Sequence, residues 1–177
     1  MLQQFALLAE YNAWMNEKIY ATAAELAEEV RTENRGAFFG SIHGTLNHLL
    51  VADRIWLQRF ARYFTQFSVL EWVGALPQPT ALDEILFADF QAMREHRRAL
   101  DATIKEWIGA LSQADLDQVL QYSSIKGIPA SRSFSGVLLH FFNHQTHHRG
   151  QVTTLLSQLG KDVGATDLLL LVADRKN

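Results

Sequence analysis

The stretch LLHFFNHQTHHRGQVTTLLSQLG, residues 138–160, holds four of the chain's seven histidines within nine positions. Its apolar residues recur at spacings of three or four, which is typical of one face of a helix. We expect this helix to begin at Ser133 or Ser135 and to end near Gly160, because glycine commonly follows the last turn of a helix. The stretch therefore predicts a long helix with histidines on or beside its buried face.

Three more segments have the same helical period. They predict helices over residues 3–30, 41–64 and 80–108, with Ser41 as the cap of the second. Thr80 with Asp83 resembles a capping box for the third. Four long helices around one core predict an all-α four-helix bundle.

The segment before the fourth long helix does not have a helical sequence pattern. Residues 119–124 and 128–132 flank Lys126 and Gly127, and glycine tolerates the positive φ of a tight turn. We therefore expect a short β-hairpin, with Pro129 restricting its strand to an edge. A short apolar helix over residues 167–173 is expected to close the chain, which we interpret as one domain over residues 1–177.

Composition narrows the function classes. The 177 residues are 48% apolar and 20% charged, and the net charge of −3 does not favour nucleic acid or an anionic membrane as a partner. No cysteine is present, so disulfides, cysteine zinc sites, iron–sulfur clusters and cysteine nucleophiles are excluded. No apolar run approaches the ~18 residues of a membrane span, and the first residues lack the pattern of a secretory signal. We expect a cytoplasmic protein.

The histidines predict a metal site. His144 and His148 are four residues apart, which places them about 40° apart around a helix and one turn along it. Such a pair can bind one metal ion, although buried histidines that only form hydrogen bonds are the plainer alternative. His140 and His147 lie further toward the polar side, so we expect them near the site or in solvent.

A catalytic metal site commonly needs a third protein ligand from another helix. The second predicted helix offers His43 and His48, and periodicity does not choose between them. The apolar neighbours of His48 favour it weakly. His96 lies among charged residues and is expected at the surface.

The pattern excludes two known types of metal centre. A zincin protease needs glutamate directly after the first histidine, where this chain has Gln145. A carboxylate di-iron bundle needs Glu-x-x-His pairs, which are missing. What is left is a site of three neutral histidines with an open coordination position.

Five segments along the chain stand out together: EYNAWMNEKI (10–19), TLNHLLVADRIWLQRF (45–60), SSIKGIPASRSF (123–134), NHQTHHRGQ (143–151) and GATDLLLL (164–171). With these segments the chain resembles the DinB/YfiT-like superfamily of small metal-binding bundles. The resemblance implies up-down-down-up helices, a homodimer, and a divalent zinc or nickel ion held by His48, His144 and His148. It thus chooses His48 over His43.

The resemblance also implies a function. Characterised relatives include transferases and isomerases that use low-molecular-weight thiols, so we expect a thiol-dependent S-transferase with a small-molecule thiol as partner. Gln151 is a candidate for orienting a ligand, and Arg149 for pairing with a carboxylate of the cosubstrate. No catalytic residue is identified.

Two alternatives stay open. One is a metal-dependent hydrolase, which needs a general base; Asp53, the acid nearest to His48 along the chain, lies about 140° around the helix and is expected to pair with Arg54 or Arg149. The other is a non-catalytic, metal-binding dimer linked to the stress response, with His140 or His147 as a fourth ligand.

Overall fold

Four long helices form the body of the protein in the computed structural model, which describes residues 1–124 and 126–173. Shorter elements connect them. In chain order the elements are α1 (Leu2–Ala24), α2 (Glu28–Thr32), α3 (Ile42–Tyr63), α4 (Glu71–Gly74), α5 (Phe90–Ala110), α6 (Gln113–Leu116), β1 (Val119–Ser123), β2 (Pro129–Ser133) and α7 (Phe134–Gln158). Two 3₁₀ turns, Ser68–Leu70 and Leu168–Leu171, complete the described secondary structure.

The direction of each long helix follows from which of its ends meet. α1 and α7 are parallel, whereas α1 with α5 and α3 with α7 are antiparallel. The pairs that show this are Phe5–Phe142, Asn12–Arg149, Glu10–Lys105, Glu17–Arg94, Phe60–Phe134 and His48–His148. The helices therefore run up, down, down and up, and the predicted four-helix bundle is confirmed.

Aromatic side chains fill the centre of the bundle. Phe60 on α3 packs against Trp107, Phe134 and Phe141, with ring centroids 4.9, 5.6 and 6.2 Å away. All four side chains are buried. Because they come from three of the long helices, this cluster fixes how α3, α5 and α7 sit against one another, and it thereby aligns α3 with α7.

The predicted hairpin and the predicted ends of α3 and α7 are confirmed. Ser41 caps α3 by accepting a hydrogen bond from the Gly44 amide. Gly127 has φ +75° in the hairpin turn, two residues after Ile125, which lies outside the described residues. Gly160 has φ +70° after α7, and its amide donates to the Ser157 carbonyl. At the C-terminus, residues 168–171 form a 3₁₀ turn where a helix over 167–173 was expected.

The predicted third helix begins ten residues too early. It starts at Phe90 after the cap Asp89, whereas Thr80 binds the Glu84 carboxylate within a loop. Leu82, which lies in the first turn of the predicted helix, is 51% exposed. The carbonyl groups of Leu82 and Phe87 face side chains of α3, so they are not available for helical hydrogen bonds.

The first predicted helix is likewise divided. α1 ends at Ala24, and the shorter α2 follows over Glu28–Thr32. The Arg31 guanidinium donates to the carbonyls of Ala23 and Leu26, so it binds the main chain at this break. Within residues 1–124 and 126–173, no helix combines the length and the apolar character that crossing a membrane requires.

Candidate metal centre

The antiparallel packing of α3 against α7 brings three histidines together. His48 on α3 faces His144 and His148 on α7, and one possible ligand atom from each lies within 4.8 Å of the others. The Nε2 atoms of His48 and His144 are 3.2 Å apart. His48 and His148 are buried and His144 is half-buried. We call these three residues the histidine cluster.

Hydrogen bonds determine which ring nitrogen of His48 and of His148 is free to bind a metal ion. His48 Nδ1 lies 2.8 Å from the Leu82 carbonyl oxygen, and His148 Nδ1 lies 2.8 Å from Gln151 Oε1. Both oxygens only accept, so each Nδ1 carries the hydrogen and each Nε2 keeps its lone pair. Metal-binding histidines are commonly oriented in this way by an oxygen acceptor on the other ring nitrogen.

Burial keeps the histidine cluster neutral. It lowers the pKa of His48 to about 4, against the hydrogen bond to Leu82, and it lowers the pKa of His148 as well. The pKa of His144 falls to about 3, through burial and then through the neighbouring histidines. Neutral imidazole is the form that binds metal ions, so these side chains are ready to bind at neutral pH.

The spacing of the cluster fits a divalent ion. Two imidazole nitrogens bound to a tetrahedral zinc ion at 2.0–2.1 Å lie about 3.3 Å apart. The 3.2 Å between the Nε2 atoms of His48 and His144 is close to that value. The same distance suits a hydrogen bond from His144 Nε2 to His48 Nε2, so either a proton or a cation can lie between the two atoms.

An aromatic side chain covers one side of the cluster. The Phe39 ring stacks on His48, with centroids 3.7 Å apart and planes 15° from parallel, and it meets His148 at 5.5 Å. Gly44 permits this arrangement, because a Cβ there would lie 2.2 Å from the Phe39 carbonyl oxygen. Phe39 lies in a loop without periodicity, so no sequence signal singled it out.

Three other predicted site residues lie around the cluster. His140 is exposed, with its ring centroid 6.0 Å from that of His144. His147 is also exposed, at 4.8 Å from His148. Gln151 joins the two neighbouring histidines, since it accepts from His148 and its amide nitrogen lies 3.3 Å from His147 Nε2.

Arg149, His43 and His96 lie away from the cluster. Arg149 is buried and donates to Asn12 and Thr146, so it does not face the cluster. His43 Nε2 lies 2.9 Å from the Phe87 carbonyl oxygen, which ties α3 to the following loop. His96, expected in solvent, is half-buried and packs its ring 4.8 Å from that of Phe87.

A second buried polar group lies beside the cluster, and we call it the carboxylate network. Asp53 on α3 accepts from Arg97 on α5 and from Gln145 on α7. The expected partner of Asp53 was Arg54 or Arg149, and Arg97 takes that place. Arg97 also pairs with Asp101 at 2.8 Å, which accepts from Asn16 and Asn12 at 3.0 Å each. Burial raises the pKa of Asp53 to about 6, against the charge of Arg97.

Two comparisons with known proteins found a match. A sequence model of the DinB family matches residues 1–175. Protein DinB of Bacillus subtilis (strain 168) is 29% identical over 161 residues, which covers 90% of this chain and 88% of that protein. No solved structure matches the chain significantly.

Proposed function

The chain belongs to the DinB family, and on that premise we propose that it is a divalent-metal-dependent enzyme of the thiol S-transferase type. His48, His144 and His148 would hold the ion. The observation that carries the proposal is the convergence of three neutral imidazoles with no carboxylate among them in the described part of the chain. Imidazole suits both zinc and nickel.

This ligand set favours activation of a thiol. A divalent cation with three neutral ligands keeps its full charge and an open position, where it lowers the pKa of a coordinated thiol. In the proposed reaction the thiol of a small cosubstrate loses its proton to solvent, and its sulfur bonds to an electrophilic carbon as the leaving group departs. The chain has no cysteine, so the nucleophile comes from the cosubstrate.

The surrounding residues hold the site in shape. The Leu82 carbonyl and Gln151 keep His48 and His148 in the tautomer that binds through Nε2. Phe39 covers His48 and keeps water from that side of the cluster. His140 and His147 are not part of the compact group of ligand atoms, which supports an open position over a closed, four-histidine structural site.

Hydrolysis receives less support from the same geometry. A hydrolase needs a general base to activate water, and the described cluster contains no carboxylate. Asp53 is buried and already accepts hydrogen bonds from Arg97 and Gln145. Its oxygens are therefore occupied by the carboxylate network.

Metal content is the first test. Elemental analysis of untagged protein is expected to find about one divalent ion per chain, as one three-histidine site requires. His48→Ala and His144→Ala should lose it, whereas His43→Ala, which removes a buried histidine from the same helix, should keep it. Circular dichroism verifies that each variant is folded. Wild-type protein that stays metal-free after incubation with zinc and nickel would overturn the site.

Turnover is the second test. The metal-loaded protein is mixed with an electrophile and a panel of low-molecular-weight thiols, and loss of the electrophile is followed. We expect consumption that requires both the thiol and the ion, and that stops in His144→Ala. If the protein binds metal but does not consume the electrophile in a thiol-dependent manner, the metal site stands and the transferase activity is refuted.

A further inference from the structure

We propose that a cavity next to the histidine cluster binds a small carboxylate. It lies between α3, the hairpin and the start of α7, has a volume of about 400 Å³, and is lined by Trp56, Tyr122, Arg132, Ser133 and His140 among others. We call it the hairpin cavity. The inference rests on the proposed function in one respect, because in that function the carboxylate is a group of the thiol cosubstrate.

The hairpin cavity adjoins the histidine cluster through one side chain. His140 lines the cavity, and it is one helical turn from His144, with ring centroids 6.0 Å apart. Trp56 also lines the cavity, and its ring meets the His140 ring at 5.6 Å. A small molecule in the cavity thus lies within one turn of α7 from the proposed metal ion. This is the position that the body of a cosubstrate needs if its thiol reaches the ion.

The aromatic walls of the cavity are held in place from behind. The Arg59 guanidinium stacks on the rings of both Trp56 and Tyr122, at 4.5 and 4.8 Å. It also donates to the Ser123 carbonyl at 2.9 Å, which ties α3 to β1. Trp56 and Tyr122 meet edge to face at 5.1 Å. A preformed aromatic cavity of this size is typical of small-molecule sites.

The charge around the cavity selects an anion. Within residues 1–124 and 126–173, neither Arg59 nor Arg132 has a carboxylate within 4.0 Å, whereas Arg94, Arg97 and Arg98 each have one. Arg132 lines the cavity without a protein counter-ion among these residues, and its guanidinium can bind a planar carboxylate with two hydrogen bonds, while Arg59 adds positive charge behind the aromatic walls.

The start of α7 adds to this preference. Ser133 is the N-cap of α7 but makes no side-chain capping hydrogen bond. Gly136 also lines the cavity, and a Cβ there would lie 2.7 Å from Ser133 Oγ, so glycine keeps this end of the helix open. The first turn of this 25-residue helix has no side-chain cap, so the positive end of its dipole lies beside the cavity that Ser133 and Gly136 line.

Calorimetric titration of the zinc-loaded protein with three probes tests the inference. The probes are 3-mercaptopropionate, 2-mercaptoethanol and propionate, which separate the carboxylate from the thiol. We expect 3-mercaptopropionate to bind more tightly than 2-mercaptoethanol, and Arg132→Gln to weaken it at least about fivefold without affecting 2-mercaptoethanol. Arg98→Gln, which removes an arginine from the surface of α5, should leave all three affinities unchanged.

The same titrations separate the two proposals. If both thiols bind equally and Arg132→Gln changes neither, the hairpin cavity is not a carboxylate site. Thiolate-to-metal charge-transfer absorption of the cobalt-loaded protein would then still support the proposed function. If propionate binds in an Arg132-dependent manner but neither thiol changes the cobalt spectrum, the cavity inference stands and the proposed thiol chemistry fails.

Discussion

The histidine cluster and the carboxylate network are both buried, polar and built on α3 and α7, yet their chemistry is opposite. In the network, two carboxylates meet a guanidinium and three side-chain amides, so both carboxylates have donors and Arg97 lies between two opposite charges. In the cluster, His48 and His148 each keep an Nε2 lone pair, and the one internal contact between ring nitrogens joins His48 to His144. Buried polar groups need partners. The cluster therefore presents lone pairs to a ligand from outside the chain, whereas the carboxylates of the network are already bound.

The largest effect is expected from breaking the network. Asp53→Ala leaves Arg97 buried with half of its counter-charge, so the free energy of unfolding should fall by about 3–5 kcal/mol. Urea denaturation followed by circular dichroism measures it. Asp53→Asn, which keeps the shape and one acceptor, is the matched control and should lose less. A loss below about 1 kcal/mol in Asp53→Ala would show that the network is not what holds these helices together.

The cluster should respond to an added ion where the network does not. Zinc at a hundredfold excess over its dissociation constant is expected to raise the free energy of unfolding of the wild type by about 2.7 kcal/mol. The same addition should not stabilise His144→Ala, because one of three ligands is missing. Thermal denaturation with and without zinc measures the difference. Equal stabilisation of both proteins would place the zinc elsewhere.

A smaller effect is expected at the side chain that orients His148. Gln151→Ala removes the acceptor of His148 Nδ1, and we expect about tenfold weaker zinc binding, since such partners tune affinity 10–100-fold. Competition with a metal chelator measures the affinity. Gln151→Glu, which still accepts at this position, should restore binding. If Gln151→Ala binds zinc as the wild type does, the hydrogen bond does not orient the ligand.

The smallest effect is expected at a surface ion pair of the same chemistry as Asp53–Arg97. Arg98 and then Arg94 hold the pKa of Glu17 down at about 2, but the Glu17 side chain is 47% exposed. Water screens such a pair, so Glu17→Gln should cost less than about 1 kcal/mol at pH 7. The lowered pKa stabilises the fold above pH 4.5, and this contribution is lost as the pH falls toward 2. Urea denaturation at pH 7 and pH 3 checks both statements, and a larger difference at pH 3 than at pH 7 would contradict them.

Periodicity predicted the parts of the fold that depend on one helix at a time. It placed His144 and His148 on one face, because a 3.6-residue repeat needs no tertiary information, while serine and glycine at its boundaries marked the two ends of α7. It did not separate His43 from His48, and the structure shows why: both are buried, and both bind a loop carbonyl. The two histidines differ in whether they face α7. The sequence pattern of one helix does not specify which residues of another helix pack against it.

The remaining differences arise from contacts between distant segments. The third helix was predicted ten residues early because Thr80 resembles a cap, while the main chain that follows it is bound by α3. The predicted partner of Asp53 was wrong because the residue that binds it, Arg97, lies 44 residues further along the chain. Phe39 was missed because loops lack a repeat. In each case the deciding contact joins residues that the local pattern treats as independent.

The loop that follows α4 has one more property, which concerns insertions and deletions. Connecting loops usually tolerate changes of length. Here His48 holds the Leu82 carbonyl, while His43 and Asn47 together hold the carbonyl and the amide of Phe87. One residue gained or lost between Leu82 and Phe87 would move one anchor out of register with the other and turn His48 away from its partners. The length of this loop therefore determines the geometry of the histidine cluster as much as the identity of its ligands does.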